Sequence, residues 1–184
     1  MTVPLTVDFV AGREGAWSID RIVPVTGQAL PPAACLSIVT TGQPPVEAVA
    51  WQLKGTVSHA RYSHRSELVE LAARQEGLGR PASRRAVLIP IRKSAAWWAL
   101  AQDERRAIFE EQSRHIRIGM DYLPGIARRL HHSRDLGEPF DFLTWFEFAP
   151  EDEAPFDAML SRLRETAEWS FVEREVEIRV SRVQ

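Results

Sequence analysis

The feature that most constrains this chain is its C-terminal run from Ser170 to Ser181. Val172, Val176, Ile178 and Val180 share one parity, while Glu173, Glu175, Glu177 and Arg179 share the other. A period of two is the mark of a β-strand with one face in a core and one in water. Such a strand cannot stand alone, so the chain must supply neighbours for it and a layer to cover its apolar face. Upstream, Val87, Ile89 and Ile91 alternate in the β-rich run Ala86–Lys93. Ala127–Asp135 and Phe140–Ala149 read as two further strands, joined by a turn around Gly137 and Pro139.

Helical patterns fill the gaps. Ser94 is placed to cap a short helix holding Trp97 and Trp98. Asp103–Asp121 reads as the longest helix, acidic at its start, with Phe109, Gln112, Ile116 and Met120 as its core stripe. Glu151–Arg164 reads as another, with Pro155 in its first turn and Phe156, Met159, Leu160 and Leu163 on its apolar face. From Ala86 onward the order is therefore strand, helix, strand, strand, helix, strand, the ferredoxin-like βαββαβ arrangement.

The first half is strand-like and broken by turn residues. Leu5–Val10, Trp17–Val25, Cys35–Thr41 and Ala48–His59 are its candidate strands, with Gly42–Pro45 as a turn. The helix Ser63–Glu76 follows, with Leu68, Leu71, Ala72 and Gln75 on one face. This half reads as a truncated copy of the second, its first helix missing. The expected fold is α+β: two tandem ferredoxin-like units, residues 1–85 and 86–184, with antiparallel sheets packed together and helices outside.

Composition narrows the function classes. The chain has 184 residues, 45% apolar and 26% charged, with net charge −2 and both signs interspersed. This is the balance of a folded protein with no broad surface for nucleic acid or anionic membrane. No apolar run nears the ~20 residues of a membrane span. Met1–Val10 lacks a basic segment and contains Asp8, unlike a secretory signal. Cys35 is the only cysteine, so no disulfide forms within the chain. A cytoplasmic protein is the expectation.

There is no phosphate-binding loop, dinucleotide fingerprint, HExxH or cysteine cluster. Chemistry must rest on scattered residues, each with a structural alternative. His115 lies beside a core stripe, with Gly119 one turn on. It is either a hydrogen-bonded core histidine or the single protein ligand that a haem needs; alone it cannot close a zinc site. Lys93 ends the Val87–Ile89–Ile91 face and must snorkel or meet an anion. Gln75 sits on an apolar stripe, as a satisfied core amide or a pocket group. In the run Arg128–Arg129, one arginine must face inward and needs a carboxylate or an anion. Six tryptophans provide large flat surfaces for a core or a planar cofactor.

Together these residues resemble a known pattern. Ala86-Val-Leu-Ile-Pro-Ile-Arg-Lys-Ser-Ala-Ala-Trp-Trp98, Asp103-Glu-Arg-Arg106, His115 and Tyr122-Leu-Pro124 are similar to the chlorite dismutase family. So are Arg128 in the run to Arg134-Asp-Leu, Phe140-Asp-Phe-Leu-Thr-Trp-Phe-Glu147 and Leu163-Arg-Glu-Thr-Ala-Glu-Trp169. Trp51-Gln-Leu-Lys-Gly55, His59-Ala-Arg-Tyr62 and Gly77-Leu-Gly-Arg80 resemble its short, dimeric branch.

The resemblance implies a dimeric α+β barrel binding haem b in its second half and converting chlorite to chloride and O₂. His115 would be the proximal iron ligand, with Glu168 accepting a hydrogen bond from its other nitrogen and Lys93 beside it. Glu165 is the alternative to Glu168. Arg128 would be the distal arginine, held by Gln75. Trp97 and Trp98 would lie near the haem and a homodimer contact. Related haem proteins offer rivals: coprohaem decarboxylases lack an arginine matching Arg128, and dye-decolorising peroxidases carry a Gly-x-x-Asp-Gly run absent here. A haem sensor or carrier would need the histidine but not the arginine.

Overall fold

The computed structural model describes residues 5–41, 43, 49–57 and 61–183. Eight strands close into one barrel: β1 (Leu5–Gly12), β2 (Trp17–Thr26), β3 (Cys35–Thr40), β4 (Val49–Val57), β5 (Arg85–Lys93), β6 (Ala127–His132), β7 (Phe142–Phe148) and β8 (Val172–Arg182). Around the barrel they run β1-β3-β2-β8-β5-β7-β6-β4, and neighbouring strands pair antiparallel. The first four strands lie in the order β4-β1-β3-β2, and the last four repeat that order as β8-β5-β7-β6. The β2–β8 and β4–β6 pairings join the two sets edge to edge, so both edges vanish. The expected pair of packed sheets is thus a single closed one. The strand expected over Ala48–His59 appears as β4; Ala48, His59 and most of the Gly42–Pro45 turn lie outside the described residues.

Alternation sorts side chains between the barrel interior and its outer face. Phe9, Trp17, Leu36, Leu53, Leu88, Trp145 and Ile178 fill the interior with other apolar groups. Val87, Ile89, Ile91, Phe146 and Phe148 point outward and are buried by helices. Both faces of β5 are therefore buried, and it reads as a nearly continuous apolar run for that reason.

β8 departs from its expected half-solvated state. Val176, Ile178 and Val180 face the interior, but Glu175, Glu177 and Arg179 are buried as well. The cause is helix α5 (Glu153–Arg164), which lays Phe156, Met159, Leu160 and Leu163 against the outer face. Its charged groups then meet those of β8. Arg164 binds Glu175 at 2.6 Å and Glu177 at 2.8 Å, while Arg179 binds Glu177, Glu153 and Asp157. Removing one member of such a buried network costs about 3–5 kcal/mol, because its partners stay charged and desolvated. Val172 also leaves its expected face: it packs in the outer cluster, next to a register shift opposite Arg92 and Lys93.

The long helix expected over Asp103–Asp121 is broken. It runs as α3 (Gln102–Arg106), a π-helical turn Ala107–Gln112, and α4 (His115–Met120), with Arg114 left-handed at φ 52°. Gln112 is exposed, so the expected stripe fails at that residue. A single turn closed by i→i+5 bonds shifts the side chains off the 3.6-residue spacing without leaving a period of its own, so the break is invisible to a 3.6-residue template. The helix after β4, α1 (Arg65–Arg74), also differs from expectation. It buries no residue; Leu68 and Leu71 face a cavity, and Gln75 is its C-cap.

Candidate active site

The outer face of β5, β7 and β6 forms one wall of the site. Lys93 ends β5 and is buried. Ser94 caps α2 (Ala95–Ala99), accepting a hydrogen bond from the Trp97 N–H, and this sets the Trp97 ring over the Lys93 ammonium at 4.7 Å.

His115 reaches the site through the helix break. The Glu110 carboxylate accepts the N–H groups of Ile116 at 2.6 Å and Arg117 at 3.3 Å. It thereby satisfies the orphan donors of the new helix, and α4 starts at His115. The histidine is thus at the head of a short helix, not in the middle of a long one.

Glu168 comes from the 3₁₀ turn Ala167–Phe171 between α5 and β8. Its backbone N–H donates to the buried Ser113 hydroxyl at 2.9 Å, and the side chain is sealed from solvent. One carboxylate oxygen lies 2.6 Å from His115 Nδ1 and the other 2.7 Å from Lys93 Nζ. Burial pushes the carboxyl pKa up, but the His115 ring and the Lys93 ammonium outweigh it and hold the group at about 2. Glu168 is therefore an anion that can only accept, so Nδ1 is the donor of this hydrogen bond and Nε2 is the nitrogen left to face the cavity. Glu165, the C-cap of α5, is exposed and has no part in this chain of contacts.

The imidazole stacks on Phe109 at 4.4 Å and on Trp169 at 6.2 Å, with interplanar angles of 24° and 18°. Trp169 donates its indole N–H to Glu175 at 2.8 Å, which ties this ring to the buried network under α5. Neither Ser113, Glu110 nor Trp169 stands out in the sequence as a site residue. Only the adjacency of Trp169 to Glu168 hinted at it; the contacts of Ser113 and Glu110 depend on the helix break.

Arg128 enters from β6. Of the two arginines, it is the half-buried one, and Arg129 is exposed. Its guanidinium has no hydrogen bond or ion pair among the described residues, and desolvation lowers its pKa. Gln75 donates its side-chain amide to the backbone carbonyl of Arg128 at 2.9 Å. It therefore pins the strand, and leaves the guanidinium alone.

A cavity of about 420 Å³ includes both His115 and Arg128 in its lining, together with Gln75. Ile89, Ile91, Phe146, Leu160 and Leu163 make much of the remaining wall apolar. A smaller space of about 100 Å³ adjoins it, against Lys93, Trp97, Glu168 and Trp169. Trp98 lines neither. It lies outside, donating to Asp141 at 3.0 Å with the Arg134 guanidinium 3.8 Å over its ring. The volume suits a ligand of tens of atoms.

Chemically, the cavity offers a histidine nitrogen reinforced by an anion, and a desolvated guanidinium, Arg128, with no counterion among the described residues. Among the described residues no three or more His, Cys, Asp or Glu side chains gather to hold a bare metal ion. No helix among them is long and apolar enough to cross a membrane.

Comparison with known proteins gives a consistent result. The chain resembles the crystal structure of dimeric chlorite dismutase from Nitrobacter winogradskyi, with 54% identity over 96% of this chain and 99% of that one, at a TM-score of 0.90. The chlorite dismutase of Candidatus Nitrospira defluvii, in complex with imidazole, shares the fold at a TM-score of 0.68 with 19% identity, over 98% and 92% of the two chains. The chlorite dismutase of Ideonella dechloratans is 36% identical over 66 residues, which is 36% of this chain and 22% of that protein's length. The family model for chlorite dismutase matches residues 38–184, and the chain belongs to that family.

Proposed function

We propose that the protein is a haem b-dependent chlorite dismutase, with His115 as the iron ligand and Arg128 as the anion-binding group of the cavity. The observation that carries this reading is the pairing within one apolar cavity of a histidine whose Nδ1 is held by an anion and an arginine with no counterion among the described residues. The donor set fits haem: a single protein nitrogen suffices where the macrocycle supplies the other ligands, and no cluster for a bare ion is present among the described residues.

Haem, when bound, supplies the redox chemistry that turns chlorite into chloride and O₂. The protein's contribution is electrostatic and steric. Glu168 holds the Nδ1 proton and makes the imidazole a stronger donor at Nε2; Lys93 keeps Glu168 ionised. Arg128 attracts the chlorite anion and retains the chlorine-bearing fragment until both oxygens leave as one molecule. The apolar walls exclude water, which strengthens the pull of the guanidinium. Gln75 fixes the backbone of Arg128, and Trp97 packs behind Lys93. Trp98 is better placed for a contact between subunits than for the cofactor. A haem carrier would use His115 but has no need of a desolvated guanidinium aimed into the cavity.

We further read residues 1–85 and 86–184 as tandem ferredoxin-like units, the first reduced in its helices; the repeated strand order supports this. The protein would form a homodimer, as the Nitrobacter relative does, and reside in the cytoplasm, where its lone Cys35 needs no partner. Titration of haem into apoprotein tests the ligand assignment: His115→Ala should abolish the stoichiometric Soret band of the wild type. A variant that loads haem with wild-type affinity removes His115 from the role.

A further inference from the structure

The sequence pairs His115 with a glycine one turn later, and the structure gives that glycine a neighbour. The Arg128 guanidinium lies directly on Gly119 of α4: a β-carbon at 119 would stand 2.9 Å from Cζ and 3.0 Å from Nη2, and closer still to Nη1. Ordinary contact begins at 3.4 Å, so no side chain fits at 119 while Arg128 stays where it is. Gly119 itself is buried within a helix and has no turn or positive φ to explain it. Glycine is a poor helix former, so at this position it costs helix stability and gives space in return.

We propose that Gly119 is a positioning residue: it forms the niche that fixes the Arg128 guanidinium in the cavity. This rests on the reading of Arg128 as the anion-binding group. Two restraints then define the arginine from opposite ends. Gln75 fixes its backbone through the carbonyl, and Gly119 receives its far end. Between them no hydrogen bond or ion pair among the described residues consumes the charge, so the guanidinium is held by shape alone and its donors remain for an incoming anion. A group fixed this way loses little freedom when the anion arrives, which favours binding. The niche also belongs to the helix that begins at His115, so the anion-binding group is set against the same short helix as the iron ligand.

Gly119→Ala is a mild test. The clash falls on the tip of a flexible side chain, and alanine is the better helix former, so the variant should fold. The probe is fluoride, titrated into ferric haem-loaded protein and followed by the Soret band, for wild type, Gly119→Ala, Arg128→Ala and the double variant. Haem stoichiometry and thermal midpoint serve as controls on folding. The proposal expects Gly119→Ala to load haem fully but bind fluoride about tenfold more weakly, equivalent to ~1.4 kcal/mol. It expects no added effect of Gly119→Ala in the Arg128→Ala background, since the niche then has nothing to hold. Weak binding in Arg128→Ala with normal binding in Gly119→Ala overturns the role of Gly119 alone. An equal loss from Gly119→Ala in both backgrounds also overturns it, because the glycine would then act without the arginine. Normal fluoride binding by Arg128→Ala overturns the anion-binding reading of Arg128, and the niche with it.

Discussion

His115 Nδ1 lies 2.6 Å from a carboxylate oxygen of Glu168, whose second oxygen is 2.7 Å from the Lys93 ammonium. If His115 is the iron ligand proposed above, this chain of proton, anion and cation sets the donor strength of its Nε2. Glu168→Gln should therefore act twice. It leaves Lys93 buried without an anion, costing about 3–5 kcal/mol of folding stability. It also weakens the imidazole as a donor, so the reduction potential of bound haem should rise. Adding Lys93→Met should recover part of the lost stability, because the uncompensated cation is gone. Urea unfolding and redox titration measure the two effects; a double variant less stable than Glu168→Gln alone would contradict the coupling.

The same pair sets an acid limit. The Glu168 carboxyl is held at about 2 against an ordinary 4.5. Its contribution is complete above the ordinary value and is lost as pH falls through the depressed one. His131 adds a second dependence nearer neutrality. It lies inside the barrel against Phe9, with Nδ1 3.0 Å from the Leu143 carbonyl, and desolvation lowers its pKa from 6.5 to about 4. The unfolded chain takes up this proton near 6.5, whereas the folded chain refuses it until about 4. Stability should thus fall by roughly 3 kcal/mol as pH drops across that window. Urea midpoints in His131→Leu should show a correspondingly flatter profile; an unchanged slope between pH 6.5 and 4 would locate the dependence elsewhere.

Arg128→Ala should separate binding of the cofactor from control of the substrate. The guanidinium touches Gly119 and the cavity, and makes no hydrogen bond or ion pair among the described residues, so its loss should leave haem stoichiometry intact. Oxygen released per chlorite should drop, and the Soret band should bleach faster as reactive fragments escape. Oxygen yield and absorbance decay from one experiment check both; undiminished yield would remove Arg128 from the account.

Much of this arrangement was legible in residue order. The alternations of β5 and β8 place both strands within a residue or two, and the apolar stripe of α5 appears as read, because each has one buried partner surface and a simple period. The charged face of β8 reads as solvated, since nothing local shows that the charges of α5 return over it. The break before His115 depends on a π-helical turn, a left-handed Arg114 and a carboxylate six residues before the N–H it accepts, none of which has a hydrophobic period. At the site, Lys93 and Glu168 are 75 residues apart, and in the sequence only the family resemblance pairs them. Gln75 shows the limit of such transfer: the residue lies beside Arg128, but its bond goes to the backbone.

Once loaded with haem, this cavity should make O₂ from chlorite. The most direct measurement is oxygen-electrode recording of the haem-reconstituted protein on addition of chlorite, with chloride assayed in the same cell. O₂ should be released promptly, with one O₂ and one chloride formed per chlorite consumed. A full Soret band with chlorite left intact, or consumed without O₂, would contradict this and leave a haem protein of another activity.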